Sequence, residues 1–216
     1  MSAKVLDIMT PDPMALRAEA SFKEIAARLR EQHAAAFPVL DADNNVIGVV
    51  TEADLLPKEA LEAGYEGHRG PLASPRHRAE RQKALGVTAS DIMSRPPVTI
   101  GAFDLVSHAA HIMYDHRVSC LPVVDRGRLI GIITRADVLS VFGRTDADIR
   151  WEVLDKVIVR EFLAEPTTFS VTVRDGVVTL TGRPETAEVG HGIVTAARHV
   201  EGVVAVRDQL SYPMAR

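Results

Sequence analysis

The 216-residue chain has a single cysteine, Cys120, so no disulfide can close within it. Aromatic residues make up only 5% of the chain against 46% hydrophobic residues, so the core must be largely aliphatic. No stretch approaches the roughly 18 apolar residues that a membrane span needs. The opening MSAKVLDIMTPD places an acid and a proline where a secretory leader requires an apolar run. Basic residues number 25 against 29 acidic ones, and the net charge of -4 argues against a general nucleic-acid binder, which needs a basic face to release counterions. A Gly-x-Ser-x-Gly elbow, a Walker glycine loop and clustered carboxylates beside a base are also missing. These absences lead to the expectation of a soluble, cytoplasmic protein that is not an enzyme.

What is present is a duplication. DIMTPDP at Asp7 to Pro13 returns as DIMSRPP at Asp91 to Pro97, and FPVLD at Phe37 to Asp41 returns as LPVVD at Leu121 to Asp125, both at an offset of 84. GVVTEADLL from Gly48 returns as GIITRADVL from Gly131 at an offset of 83, so one residue is lost between the paired strands, where a turn tolerates deletion. Ser21 with Glu24 forms a capping box. Phe22, Ile25, Ala26 and Leu29 then mark one helical face, matched by Val106, Ala109, Ala110 and Met113. Each copy reads as helix, strand, strand, helix after an Asp-Ile-Met-x-x-x-Pro lead expected to be extended because of its prolines. The closing helices are expected over Glu52 to Leu61, broken or kinked at Pro57, and over Arg135 to Val141. Residues 62–87 read as a partly helical linker with an irregular Gly/Pro-rich middle and a basic run, Arg76 to Lys83, that is either a solvated face or a flap contacting phosphate or a partner.

The repeat does not return after Gly143. Ile149, Val153 and Val157 mark a helix over Asp148 to Leu163, and TFSVTVRDGVVTLTGRP alternates on both sides of Asp175-Gly176, a strong hairpin signal. A helix over Thr186 to Val200, weakened by Gly190 and Gly192, and a strand after Gly202 complete a small αββαβ domain.

The repeated Thr-x-x-Asp has two compatible meanings. Thr at the N-cap with Asp at the third helical position is an arrangement that any helix can use. Gly48 and Gly131, however, stand inside strands, where glycine often marks close approach of a ligand or another backbone. A helix N-terminus also attracts phosphate, and a carboxylate there can accept both hydroxyls of a ribose.

The duplicated DIM…hPVhD…hGhhTxxD pattern, with h apolar, resembles tandem CBS (cystathionine β-synthase) domains over residues 4 to about 142. The GVVTLTG strand at Gly176 and the VEGVVAV ending at Val200 resemble a BON domain. The resemblance implies an α+β fold: two βαββα-like CBS repeats forming a Bateman module (1–61 and 88–143), then BON at 148–216. It implies that AMP, ADP, ATP or S-adenosylmethionine binds in two clefts, with no required cofactor. Asp54 and Asp137 would hold the ribose diol, Thr51 and Thr134 would contact ribose or phosphate, and Phe37, Pro38, Leu121 and Pro122 would flank the base. It further implies a homodimer acting on a protein partner. The alternatives are a dimeric adaptor that binds no ligand, or a protein that associates with phospholipid through BON. From Asp148 onward, however, 10 acidic residues face 8 basic ones, an unfavourable balance for anionic lipid.

One chemical asymmetry separates the repeats. Glu52 sits inside the first Thr-x-x-Asp, where it competes with a phosphate, whereas Arg135 sits inside the second and offers phosphate a charge-assisted fork. The second site is therefore expected to bind nucleotide more tightly. His108, His111, His116 and Cys120 suggest zinc, but the first repeat has Glu24, Ala27, Gln32 and Ala36 at those positions, so the unit does not require a metal.

Overall fold

The computed structural model describes residues 3–32, 34–62 and 82–212. Two compact units form, Lys4–Arg135 and a C-terminal unit from Ala136. The expected irregular middle of the linker and most of its basic run fall at 63–81, outside the described residues.

In chain order the first unit contains α1 (Val5–Ile8), β1 (Thr10–Pro11), β2 (Leu16–Arg17), α2 (Phe22–Gln32), β3 (Ala36–Leu40), β4 (Val46–Thr51) and α3 (Glu52–Glu62). A single turn, α4 (82–85), precedes α5 (Ala89–Ile92), β5 (Ile100–Gly101), α6 (Val106–His116), β6 (Cys120–Asp125) and β7 (Arg128–Thr134), and α7 (Arg135–Ser140) starts at the last residue of this unit and runs on into the C-terminal one. Half of the capping box expected at Ser21 is seen: its Oγ accepts from the Glu24 N–H at 3.3 Å, while the Glu24 carboxylate pairs with Arg28 at 2.7 Å. The apolar stripes bury as the periodicity predicts, with Ile25 and Leu29 in one repeat and Val106, Ala109 and Met113 in the other.

The hairpin turns explain the changed offset. In the first, the Asp41 carboxylate accepts from the N–H groups of Asp43 and Asn45, both at 2.9 Å. These bonds, led by Asn45, hold its carboxyl below the ordinary carboxylate value. The second turn needs only Arg126 and Gly127, both at positive φ, a tighter primed turn one residue shorter.

Each repeat lends its lead segment to the other. Thr10 and Pro11 pair antiparallel with Ile132 and Gly131 on β7, giving a sheet of order β1-β7-β6-β5. Ser94 exchanges two hydrogen bonds with Val49 on β4, at 2.8 and 3.2 Å, beside the β2-β3-β4 sheet. The leads are not fully extended as expected, because Asp7-Ile8 and Asp91-Ile92 lie in single helical turns. The reason is capping: Asp7 Oδ2 accepts from the Lys4 N–H at 2.9 Å, and Asp91 Oδ2 accepts from the Thr88 N–H at 2.9 Å. Only from Met9 and Met93 onward does the chain extend toward its prolines.

The strand glycines serve this exchange. A Cβ on Gly48 would strike the Met93 side chain, and a Cβ on Gly131 would strike Met9. Each methionine of the D-I-M motif therefore packs on the glycine of the opposite repeat. Ala36, Val49, Cys120 and Ile132, which correspond in pairs between repeats, form the small apolar cluster where the repeats meet.

Pro57 does not break its helix; α3 runs through it to Glu62. The helix is held on both sides of the proline, by Asp54 at its start and by Lys58, whose Nζ donates to the Gly86 carbonyl at 3.0 Å. This anchoring offsets the lost backbone bond.

After α7 the C-terminal unit continues with α8 (Asp146–Glu152), capped by Thr145 Oγ1, which accepts from the Asp148 N–H at 3.2 Å. The helix continues in π form over Val153–Glu161. The four-residue spacing of Ile149, Val153 and Val157 suits this wider turn, and all three are buried. Next come β8 (Phe169–Arg174), β9 (Val177–Gly182), α9 (Ala187–Arg198) and β10 (Ala205–Leu210), with β10 parallel to β9. Asp175 and Gly176 form the hairpin turn at positive φ, and the Asp146 carboxylate accepts both of their N–H groups at 2.9 Å. The helical glycines are packing devices: a Cβ on Gly190 would meet Tyr212 and Pro184, and one on Gly192 would meet the Phe162 ring.

Candidate functional site

The helix start after β4 brings together the residues with the clearest chemistry. Thr51 ends the strand and Asp54 occupies the third position of α3, so the carboxylate folds back on the residue that opens the helix. Its Oδ2 accepts from the Thr51 N–H at 2.8 Å and from Thr51 Oγ1 at 2.9 Å. The Thr-x-x-Asp pattern thus caps its helix, as sequence reasoning allowed.

The second carboxylate oxygen does something the capping role does not need. Asp54 is buried, only 8% exposed, and its Oδ1 pairs with Lys83 Nζ and accepts from Ser94 Oγ at 3.3 Å. Lys83 Nζ also donates to Ser94 Oγ at 2.8 Å. The first site is therefore a polar cluster of Thr51, Asp54, Lys83 and Ser94, drawn from both repeats and the linker end. Sequence reasoning missed Ser94 and the pairing of Lys83. Ser94 carried a readable signal, since Thr10 holds the equivalent place after D-I-M and both are hydroxyl residues. Lys83 stood only at the end of a basic run.

At the second motif Thr134 ends β7, and Asp137 takes the third position of α7. The Arg135 N–H donates to the Ser119 carbonyl at 3.1 Å. Its Nη2 donates to the Val118 carbonyl at 3.1 Å, so the exposed guanidinium turns back toward the loop between α6 and β6.

The four expected base-flanking residues divide into two pairs. Phe37 and Leu121 are 2% and 0% exposed, and Phe37 packs with Ile25, Leu29, Val39 and Val50 in the repeat core. Alternation along the strands sends Pro38 and Pro122 to the opposite face, the one shared with Ala36 and Cys120. The Cys120 thiol is pushed up to about 11 by burial, with the nearby Asp54 charge adding to the rise. It is an inert packing group rather than a ligand or nucleophile. His111 instead pairs with Asp115 at 3.1 Å on the surface of α6. Among the described residues no group of three His, Cys, Asp or Glu is arranged to hold a metal. No helix among them is long and apolar enough to cross a membrane.

Two α/β repeats that complete one another's sheets, with a Thr-x-x-Asp at each closing helix, define a tandem CBS pair. The CBS domain family model matches residues 5–59 and 89–144, and the chain belongs to that family; a BON domain occupies 145–214. A CBS domain-containing protein of Dictyostelium discoideum is 37% identical over 106 residues, covering 48% of this chain and 66% of that protein. A chloroplastic CBS domain-containing protein of Arabidopsis thaliana is 31% identical over 120 residues, and the match spans 51% of each chain. The matched stretch is thus less than two thirds of these relatives' own lengths. Among solved structures, CBSX2 in complex with AMP superposes with a TM-score of 0.54 at 27% identity, covering 63% of this chain and 93% of that one. A CBS domain pair crystallised with 5′-methylthioadenosine and S-adenosyl-L-methionine gives 0.51 at 25% identity, covering 65% and 100%. CBS pairs and BON domains are typically binding or regulatory modules rather than catalytic ones.

Proposed function

We propose that the CBS pair senses an adenosine-containing ligand of the AMP, ADP, ATP or S-adenosylmethionine type and passes its state through the BON domain to a protein partner in the cytoplasm. The observation that most supports this is the buried Asp54 carboxylate at the start of α3, flanked by the hydroxyls of Thr51 and Ser94. A carboxylate so placed is suited to a ribose diol, and the fold is shared with pairs crystallised with AMP and with S-adenosylmethionine. In this reading Asp54 and Asp137 take ribose hydroxyls and Thr51 and Thr134 take ribose or phosphate. Pro38 and Pro122 flank the base, Phe37 and Leu121 contribute backbone, and Arg135 turns from the Val118 carbonyl to a phosphate. No cofactor or metal is needed.

Isothermal titration of the full chain with AMP, ATP and S-adenosylmethionine tests this. The expected result is saturable binding that Asp137→Ala diminishes; heats no larger than dilution for all three ligands overturn the reading. A second reading, a dimeric adaptor whose clefts stay unliganded, is favoured by the internal saturation of Asp54. Exposed Phe103 and Tyr114, 73% and 84% accessible, suit self-association in either reading. Light scattering is expected to give the mass of a dimer.

A further inference from the structure

The Asp54 carboxylate already holds what resembles a ligand: an ammonium group on one oxygen and hydroxyls on both. We infer that Lys83 is the intramolecular occupant of the first Thr-x-x-Asp site and sets its selectivity, favouring phosphorylated over unphosphorylated adenosine ligands. This rests on the ligand reading of that site given above.

Lys83 is positioned rather than merely nearby. It stands on α4, whose backbone is pinned by Lys58 Nζ donating to the carbonyls of Ala84 and Gly86 at 3.5 and 3.0 Å. Lys58 is itself held 4.8 Å from the centre of the Phe22 ring. The Gly86 N–H closes the turn onto the Lys83 carbonyl at 3.0 Å. Gly86 lies so close to α5 that a Cβ would meet Ile92 at 2.5 Å and Asp91 at 2.8 Å. From this anchored turn the Lys83 side chain, 20% exposed, reaches both Asp54 and Ser94. Ser94 in turn is fixed by its backbone pairing with Val49. The pair is thus built from three elements, none of which needs to move for it to form.

Selectivity comes from charge. A ribose diol needs both carboxylate oxygens as acceptors, so it must displace the ammonium from Oδ1. A displaced ammonium that gains no partner leaves a charge-assisted bond unreplaced. A ligand bearing phosphate supplies that partner, because a lysine is a compact point charge on a flexible stem and can track the phosphate. A neutral nucleoside supplies none, and a sulfonium ligand adds a second cation to the same cluster. Lys83 therefore disfavours adenosine and S-adenosylmethionine at this site and permits AMP or ATP.

Two measurements test the inference. In the full chain carrying Asp137→Ala, so that the first site is read alone, AMP is expected to bind at least about tenfold tighter than adenosine. Adding Lys83→Met is expected to tighten adenosine and erase most of that ratio; an unchanged ratio, or adenosine binding as tightly as AMP before Lys83 is altered, overturns the inference and leaves the ligand reading standing. The second measurement needs no ligand and no Lys83 variant: amine acetylation of the wild-type chain is monitored by mass spectrometry. Lys83 is expected to react several-fold more slowly than exposed Lys23 and to speed up in Asp54→Asn. Equal rates overturn the inference whatever the titrations give. A protected Lys83 in a chain that binds neither AMP nor adenosine at either site overturns both the ligand reading and the selectivity built on it.

Discussion

Among the described residues two acidic side chains are buried, Asp54 in the CBS pair and Glu152 in the BON unit, at 8% and 4% exposure. Both are paired with cations, yet the pairings differ in kind. Glu152 takes Arg144 Nη1 on Oε2 at 2.6 Å and Lys156 Nζ on Oε1 at 2.8 Å, with Lys156 one helical turn away. Each oxygen has its own cation, and Arg144 is also tied to the Glu201 carbonyl at 3.3 Å. Asp54 spends one oxygen on its own helix cap and offers the other to a lysine that arrives from a separate turn together with a serine of the other repeat. Burial of a carboxylate is therefore not by itself a mark of a ligand site. What separates the two is whether the partners belong to the carboxylate's own local structure or are exchangeable.

If that distinction holds, Glu152 is structural and its loss should be the larger disturbance. Glu152→Ala is expected to destabilise the C-terminal unit by about 3 kcal/mol, since it leaves two cations without their buried partner. Trp151, the only tryptophan, lies in α8 and reports the unfolding of that unit in urea by fluorescence. A change below the error of such a titration would place Glu152 with Asp54 as a spare carboxylate.

The exchange between repeats offers a control whose effect should be the same on both sides. Gly48→Ala and Gly131→Ala are each expected to lower stability by about 2 kcal/mol through overpacking against Met93 and Met9. Calorimetry of Gly48→Ala with and without Met93→Ala should show the double variant recovering part of the loss. Unequal penalties at the two glycines would break the internal symmetry.

A smaller effect is expected at the exchangeable site. Asp54→Asn keeps an acceptor for the Thr51 N–H and leaves Lys83 its bond to Ser94 Oγ, so losing the charge pair should cost only about 1.5 kcal/mol in thermal unfolding. A loss as large as that of Glu152→Ala would make Asp54 structural as well.

The smallest effect is a dependence on pH. Burial pushes the Glu152 carboxyl up, but the hydrogen bonds and charges of Lys156 and Arg144 outweigh it and hold the group below its ordinary 4.5. A lowered carboxyl stabilises the fold fully above its unfolded value and loses that contribution as the pH falls through its folded one. The C-terminal unit should therefore lose melting temperature on acidification below pH 4.5, and Glu152→Gln should flatten that limb.

The elements were legible where they depend on local order. The helical stripes, both hairpins and the Asp175-Gly176 turn could be read from spacing alone, because burial periodicity and turn chemistry act over a few residues. The lead segments were misread as fully extended, since the prolines constrain only the residues after Met9 and Met93, whereas Asp7 and Asp91 cap a turn that precedes them. The strand glycines were read as places of close approach, which they are, but the visitor is a methionine side chain from the other repeat. Of the first site, Thr51 and Asp54 could be named because their spacing repeats. Lys83 could not, because an ion pair across 29 residues leaves no periodic trace.

The exchange of leads has a further consequence for what counts as a unit of this molecule. The stretch that recurs in the gene, from one D-I-M to the next, does not coincide with either half of the folded pair. The half built around β3 and β4 is finished by Ser94, and the half built around β6 and β7 is finished by Thr10 and Pro11. Cutting the chain between the repeats would leave each fragment carrying an edge segment meant for its sibling and lacking its own. A single repeat would therefore be whole only beside a second copy that exchanged lead segments with it. In this chain both copies sit on one polypeptide, so the exchange is internal, and it holds although the copies differ at Glu52 and Arg135.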